Sequence, residues 1–134
     1  MASIHRETWI RTSPEAAWSA LRDVGALDTR LATGFVTHVA LEEGARIVTF
    51  ANGMVARELI VDVDEGRRRV AWSVVGASMR HHNASAQVFP DADGTRFVWI
   101  ADLLPDEVAP AIAGMIDEGL AAIKQTLENA DRPS

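Results

Sequence analysis

The residues best suited to chemistry in this sequence are Arg46, Glu58 and His82. A glutamate and a histidine that share an apolar site can transfer protons as an acid–base pair, because histidine titrates near neutrality and burial raises the pKa of a glutamate. A neighbouring Arg46 would lower the pKa of the Glu58 carboxyl again. The residue types leave two interpretations open: Glu58 and His82 are catalytic, or they form a buried polar group that only orients an apolar ligand.

Other kinds of site find little support in the sequence. It contains no cysteine, which excludes thiolate metal sites and cysteine nucleophiles. His81 and His82 are adjacent on a predicted strand and point to opposite faces, so they cannot share one metal ion. His5 and His38 have no partner at metal-ligand spacing, and nucleophile-elbow and phosphate-binding glycine motifs are absent. We therefore expect neither a metal nor a cofactor.

Length and composition predict a single globular domain over residues 1–134, since 48% of the residues are hydrophobic and 24% are charged. The net charge of −6 argues against binding to nucleic acid. No apolar run approaches the length of about 20 residues that a membrane span needs. Residues 1–12 lack the apolar segment of a secretory signal, so we expect a cytoplasmic protein.

The elements that must position these residues follow from turn signals and periodicity. A first strand is predicted over 3–11, followed by a helix that starts with Ser13 as its cap and Pro14 in its first position. A short helical turn is predicted near 26–32. Six strands follow, and most of their connections are short and contain glycine, which makes the neighbouring strands antiparallel. These strands span about 34–41, 45–51, 54–63, 67–76, 80–89 and 95–104.

The last predicted element is a long helix near 107–129, because apolar residues recur there every three or four positions. Gly114 and Gly119 lie inside it, where each glycine costs about 1 kcal/mol relative to alanine. We therefore expect another part of the chain to approach closely at both. The strands and helices together predict an α+β fold, in which a curved seven-stranded sheet covers this helix. Such a sheet would leave a space between itself and the helix.

Loop lengths set the strand register and hence the residues that share a face. Three-residue turns at 51–53 and 64–66 pair Arg46 with Glu58 and Glu58 with Trp72, whereas a two-residue turn at 52–53 would place Glu58 opposite Ile47. In the favoured register, Ile60 pairs with Val70, Asp62 with Arg68, Ala86 with Trp99 and Val88 with Phe97. One face then carries Arg46, Val48, Phe50, Met54, Ala56, Glu58, Ile60, Val70, Trp72 and Val74, joined by His82, Ala84, Phe97 and Trp99. This face is either a core with an Arg–Glu pair at its edge or the wall of a ligand cavity. The turn lengths do not determine which side chains of strand 34–41 point to this face.

The sequence resembles the SRPBCC superfamily, also called START-like or birch-pollen-allergen-like, and within it the polyketide cyclase/dehydrase-like branch of bacterial proteins. The resemblance covers nearly the whole chain and is clearest at residues 13–23, 44–50, 57–62, 69–75 and 94–99. It implies a helix-grip fold: a seven-stranded antiparallel sheet around a long C-terminal helix, with two short helices after strand 1 and a hydrophobic cavity inside.

Plant abscisic acid receptors look like distant relatives. The resemblance places their cavity Glu on Glu58 and their cavity Phe on Trp72, while their Tyr and Ser fall on His82 and Ala84. Their gating-loop sequences are missing from this chain, so hormone sensing is not expected.

The resemblance implies that the protein binds a hydrophobic small molecule, lipid-like or polyketide-like, between the sheet and the C-terminal helix. The expected ligand-binding residues are Arg46, Val48, Phe50, Met54, Glu58, Trp72, His82, Trp99, Ile112 and Met115. An alternative is a polyketide cyclase or dehydratase with Glu58 and His82 as its catalytic acid–base pair.

A third interpretation is a protein-interaction or co-chaperone module, as some relatives of this fold are. In the predicted register Ile47, Val55, Leu59 and Val61 face outward. Such an apolar patch would suit a homodimer.

Overall fold

A seven-stranded antiparallel sheet, in the order β1-β7-β6-β5-β4-β3-β2, forms most of the computed structural model, which describes residues 2–76 and 79–130. The predicted α+β helix-grip fold is confirmed. The strands are β1 (Ala2–Ile10), β2 (Val36–Glu42), β3 (Ala45–Phe50), β4 (Val55–Asp64), β5 (Arg69–Val75), β6 (His81–Asp91) and β7 (Gly94–Leu104). Among the described residues, no helix is both long and apolar enough to cross a membrane.

The connection between β1 and β2 contains α1 (Pro14–Arg22) and a single π-helical turn (Leu27–Leu31). The Ser13 hydroxyl accepts a hydrogen bond from the amide of Ala16 at 3.1 Å, so Ser13 caps α1 as predicted. Trp18 and Leu21 are buried and hold the inner face of α1 against the core. This segment packs against the sheet and the C-terminal helix, and Leu21, Leu27 and Leu31 line the space between them.

The β3–β4 hairpin has the predicted register. Gly53 adopts a φ of +91°, and the amide of Phe50 donates to the carbonyl of Met54 at 2.8 Å. Arg46 therefore lies opposite Glu58. Because directly paired residues point to the same side of a sheet, both side chains face the interior.

The predicted register of the next ladder is wrong by two residues. Glu58 lies opposite Val74 and Ile60 opposite Trp72, instead of Glu58 opposite Trp72 and Ile60 opposite Val70. A bulge between Ile60 and Asp62 then places Asp62 opposite Ala71, so the predicted pairing of Asp62 with Arg68 is also absent. The turn is longer than predicted, since Asp64 pairs with Arg69 and Arg68 takes the positive φ of 53° that we expected of a glycine. This turn displaces β5 by three residues, and the bulge takes one of them back. A shift of two residues keeps the facing, so Glu58 and Trp72 still share the inner side.

The register of the β6–β7 hairpin agrees with the prediction, since Ala86 lies opposite Trp99 and Val88 opposite Phe97. Two of the residues predicted to face outward, Val55 and Val61, are 62% and 57% exposed. Ile47 and Leu59 are half-buried. A homodimer through this face stays a prediction.

The C-terminal helix is preceded by a 3-10 turn (Asp106–Val108) and forms α2 (Ala109–Ala130). Its buried stripe lies against the sheet and consists of Ile116, Gly119, Leu120, Ile123 and Leu127. The expectation about glycines holds at only one of two positions. A Cβ atom on Gly119 would lie 2.8 Å from Trp99 and 3.1 Å from Phe35, whereas nothing lies within 4 Å of the equivalent atom on Gly114.

Candidate functional site

The concave side of the sheet and α2 enclose two adjoining chambers. The outer chamber has a volume of about 260 Å³ and the inner chamber about 60 Å³. Their shared walls are formed by Phe35, Phe50, Glu58, Trp72 and Trp99. A carboxyl group surrounded by four aromatic side chains therefore lies where the two chambers meet.

The aromatic residues are arranged as two edge-to-face pairs. The ring centroids of Trp72 and Trp99 are 5.8 Å apart, and those of Phe35 and Phe50 are 5.3 Å apart. Edge-to-face packing brings the positive edge of one ring onto the negative face of the next, which stabilises this arrangement. The four rings form a largely apolar wall between the two chambers.

The outer chamber reaches the surface between the β3–β4 hairpin and the beginning of α2. Met54 and Val55, both exposed, line it on the hairpin side. Ile112 and Met115 line it from α2, and Met79 lines it just before β6. The mouth is therefore apolar and is built from three separate parts of the chain.

Arg46 and Glu58 form a buried ion pair. The Arg46 Nε donates to the Glu58 Oε1 at 2.8 Å, and the two side chains are only 4% and 8% exposed. A second Arg46 nitrogen donates to the carbonyl of Val24 at 3.2 Å, and the guanidinium lies 5.5 Å from the ring centroid of Trp72. Three partners thus hold Arg46 in place, and Glu58, which accepts from Arg46 through Oε1, also lines both chambers.

Burial raises the pKa of the Glu58 carboxyl above its ordinary value, although the charge and the hydrogen bond of Arg46 oppose this. The sequence left both directions open, and the loss of solvation is the larger effect. A carboxyl with a raised pKa takes up a proton more readily than an ordinary glutamate.

His82 is buried and its pKa is lowered, chiefly by burial and to a lesser extent by the neighbouring His81. Its Nδ1 accepts a hydrogen bond from the backbone amide of Val74 at 3.0 Å. A neutral imidazole with Nδ1 as acceptor carries its proton on Nε2. His82, which lines the outer chamber, therefore has an N–H donor available on the other side of its ring.

Glu58 and His82 lie in one row across the sheet, with Val74 between them. Glu58 pairs with Val74, and the amide of Val74 donates to the His82 ring. Since neighbouring strands are about 4.8 Å apart, the backbones of β4 and β6 are separated by about 10 Å at this point. A small ligand between the two side chains can contact both.

The structure places all ten residues expected to bind ligand on the chamber walls. Arg46 and Val48 line the inner chamber; Met54, His82, Ile112 and Met115 line the outer chamber; Phe50, Glu58, Trp72 and Trp99 line both. Contact between these residues and a ligand stays a prediction. Among the described residues, no group of three or more His, Asp or Glu side chains lies close enough to hold a metal ion.

Sequence reasoning missed Phe35, Leu27, Leu31 and Met79, which also line the chambers. Leu27 and Leu31 belong to the π-helical turn, whose packing direction carries no periodic signal. Phe35 precedes β2, and a register shift between Val36 and His38 breaks the alternation that would have revealed its facing.

Two larger depressions lie on the surface. One, of about 710 Å³, lies between α1, the π-helical turn and the end of α2, and is lined largely by Thr, Ser and Ala side chains. Its Arg30 is already bonded to Asp23 and Ser19. The other, of about 640 Å³, lies beside the β5–β6 connection. The walls of both are about as polar as they are apolar, whereas the two inner chambers combine mostly apolar walls with buried polar groups.

Comparison with known proteins gives one family match. The family model described as "Polyketide cyclase / dehydrase and lipid transport" matches residues 1–128. No protein with a curated functional description matches the sequence significantly.

Solved structures with the same fold are numerous but distant in sequence. XoxI from Bacillus cereus superimposes with a TM-score of 0.83 at 20% identity, covering 99% of this chain and 100% of that one. Ara h 8.0201 gives 0.73 at 13% identity, with coverages of 96% and 98%. A point mutant of norcoclaurine synthase from Thalictrum flavum, in complex with a transition state analogue, gives 0.70 at 16% identity, with coverages of 98% and 96%. These similarities show a shared fold.

Proposed function

Because the chain belongs to the polyketide cyclase/dehydrase and lipid transport family of the SRPBCC superfamily, we propose that it binds a small, neutral, mainly apolar molecule in its two chambers. The observation that carries this proposal is the buried Arg46–Glu58 pair at the junction of two aromatic-walled chambers. Buried polar groups in an otherwise apolar pocket are what fix the orientation of a ligand.

The size of the outer chamber limits the ligand. Its volume of about 260 Å³ lies near the lower end of the range of small-molecule pockets, about 300–1,000 Å³. One ring or two fused rings fit this volume and the flat aromatic walls, whereas a long acyl chain would extend beyond it. A polyketide-like ring is therefore favoured over a lipid-like chain.

The charges of the walls favour a neutral ligand. Among the described residues, Arg46, Glu58 and His82 are the titratable side chains that line the chambers. The first two are paired with each other, and the lowered pKa of His82 favours its neutral form. A charged ligand would bury a charge without a partner, at a large free-energy cost. A hydroxyl or carbonyl oxygen, by contrast, can accept from His82 Nε2–H, and a hydroxyl can also donate to the Glu58 carboxylate.

Catalysis by the same pair is the second candidate. The raised pKa of Glu58 and the lowered pKa of His82 bring the two proton-transfer equilibria closer together, as suits an acid–base pair. In a dehydration, neutral His82 would take a proton from the carbon next to a carbonyl. Glu58, once it has taken up a proton from solvent in place of its ion pair with Arg46, would give that proton to the departing hydroxyl, which leaves as water. The norcoclaurine synthase mutant with its bound transition state analogue has the same fold as this chain.

The test compares binding of neutral one-ring and two-ring phenols, with 2-naphthol as the reference compound, to the wild type and to Glu58→Gln by calorimetry. If Glu58 orients the ligand, the substitution weakens binding by about 1–3 kcal/mol, since a polar partner is lost in a buried site. Glu118→Gln, an exposed position on α2, is the matched control and should leave affinity unchanged. Equal affinity of Glu58→Gln and the wild type, or no binding of any phenol, contradicts the proposal.

The catalytic candidate predicts a different outcome. With a polyketide-like substrate, Glu58→Gln and His82→Ala should each slow turnover by about 10²–10⁴ while affinity changes little. Binding without turnover by the wild type supports the binding function alone.

A further inference from the structure

The mouth of the outer chamber is unusually rich in methionine. The chain has four methionines, and three of them, Met54, Met79 and Met115, line this one chamber. They come from the end of the β3–β4 hairpin, from the residue pair before β6 and from α2. Three distant parts of the chain therefore bring thioether groups to the same opening, which we call the methionine mouth.

The three side chains differ in accessibility. Met54 is 50% exposed, while Met79 and Met115 are half-buried. The chain contains no cysteine, so no thiol competes with these thioethers for a peroxide. The most exposed thioether lies at the entrance and the other two also border the chamber.

We propose that the methionine mouth is an oxidation site that controls ligand entry, an inference that rests on the proposed binding function. A hydroperoxide transfers one oxygen atom to the methionine sulfur: its O–O bond breaks, an S–O bond forms, and water or an alcohol is released. The sulfur is oxidised by two electrons and the peroxide is reduced by two. The product, methionine sulfoxide, is polar and is restored to the thioether by methionine sulfoxide reductases.

Oxidation changes the chemistry of the mouth from apolar to polar. A sulfoxide oxygen prefers water or a hydrogen-bond donor, and the side chains of Val55 and Ile112, which line the mouth with the methionines, offer none. An apolar ligand that enters past the sulfoxides must displace their water. Affinity for apolar ligands should therefore fall, and reduction should restore it.

The experiment treats the full chain with hydrogen peroxide, identifies the sulfoxides by peptide mass spectrometry and measures 2-naphthol binding by calorimetry. We expect Met54 to be oxidised first, and affinity to fall about ten-fold once all three are oxidised. Incubation with sulfoxide reductases should return the affinity. The triple variant Met54→Leu, Met79→Leu, Met115→Leu is the control: whatever its own affinity, peroxide should not change it.

Two results would overturn the inference: full oxidation without loss of affinity, or an equal loss in the triple leucine variant. If untreated wild type fails to bind 2-naphthol, the proposed function is contradicted, and the inference is judged by tryptophan emission. Polar sulfoxides near Trp72 and Trp99 should shift the emission to longer wavelength in the wild type and not in the triple variant. An unchanged emission then refutes the oxidation site.

Discussion

Removing one partner of the Arg46–Glu58 pair should destabilise the fold far more than removing both. At 2.8 Å and an effective dielectric constant of about 20, the two charges attract each other by about 6 kcal/mol. Desolvation costs several kcal/mol for each ion and offsets most of this attraction. The intact pair is therefore close to neutral in stability, whereas a single buried charge keeps the desolvation cost without the attraction.

We expect Glu58→Leu and Arg46→Met each to lower the free energy of unfolding by about 3–5 kcal/mol. The double variant should lie within about 1–2 kcal/mol of the wild type, because both charges are gone and the replacements are apolar. Urea denaturation followed by tryptophan fluorescence measures all four proteins, and the resulting cycle should give a coupling free energy of about 3 kcal/mol or more.

The exposed ion pair between Arg57 on β4 and Glu42 on β2 is the matched control for the buried pair. Its atoms are 3.4 Å apart and its side chains are 45% and 47% exposed, so it should contribute no more than about 1 kcal/mol. The reasoning is refuted if either variant of the buried pair costs less than about 1 kcal/mol, or if the two costs simply add in the double variant.

Two further predictions concern pH and helix packing. The pKa of His82 is lowered in the folded chain from its ordinary value of 6.5. As pH drops below about 6.5, the unfolded chain therefore takes up a proton on His82 before the folded chain does. The free energy of unfolding should fall as a result. Urea titrations at several pH values measure how steeply the free energy of unfolding changes with pH. This dependence should be reduced in His82→Gln and unchanged in His38→Gln, an exposed position. Equal slopes in both variants would contradict the prediction. Gly119→Ala should cost about 1–2 kcal/mol, since the new methyl meets Trp99, whereas Gly114→Ala should stabilise by about 0.5–1 kcal/mol. Thermal denaturation of both variants checks the pair, and similar shifts at the two glycines would show that the contact is unimportant.

Much of the fold could be predicted from local signals in the sequence. Glycine-containing turns indicated the antiparallel order of the strands, and the apolar spacing after Asp106 indicated α2. The three-residue turn ending at Gly53 gave the pairing of Arg46 with Glu58. The candidate site could be predicted for the same reason. Side chains alternate along a strand, so one correct turn length shows which residues of a hairpin share a face of the sheet.

The sequence by itself thus determined which residues of the β3–β4 and β6–β7 hairpins face the interior, because facing in a regular hairpin depends on periodicity and turn length. The tertiary structure determined how far each strand is displaced along its neighbour, as the bulge after Ile60 and the positive φ of Arg68 show. It also determined that Phe35 enters the chambers and that Trp99 packs on Gly119 and leaves Gly114 free. The physical reason is that these features depend on contacts between residues far apart in the chain, where side-chain volume and packing decide among backbone arrangements that the local pattern allows equally.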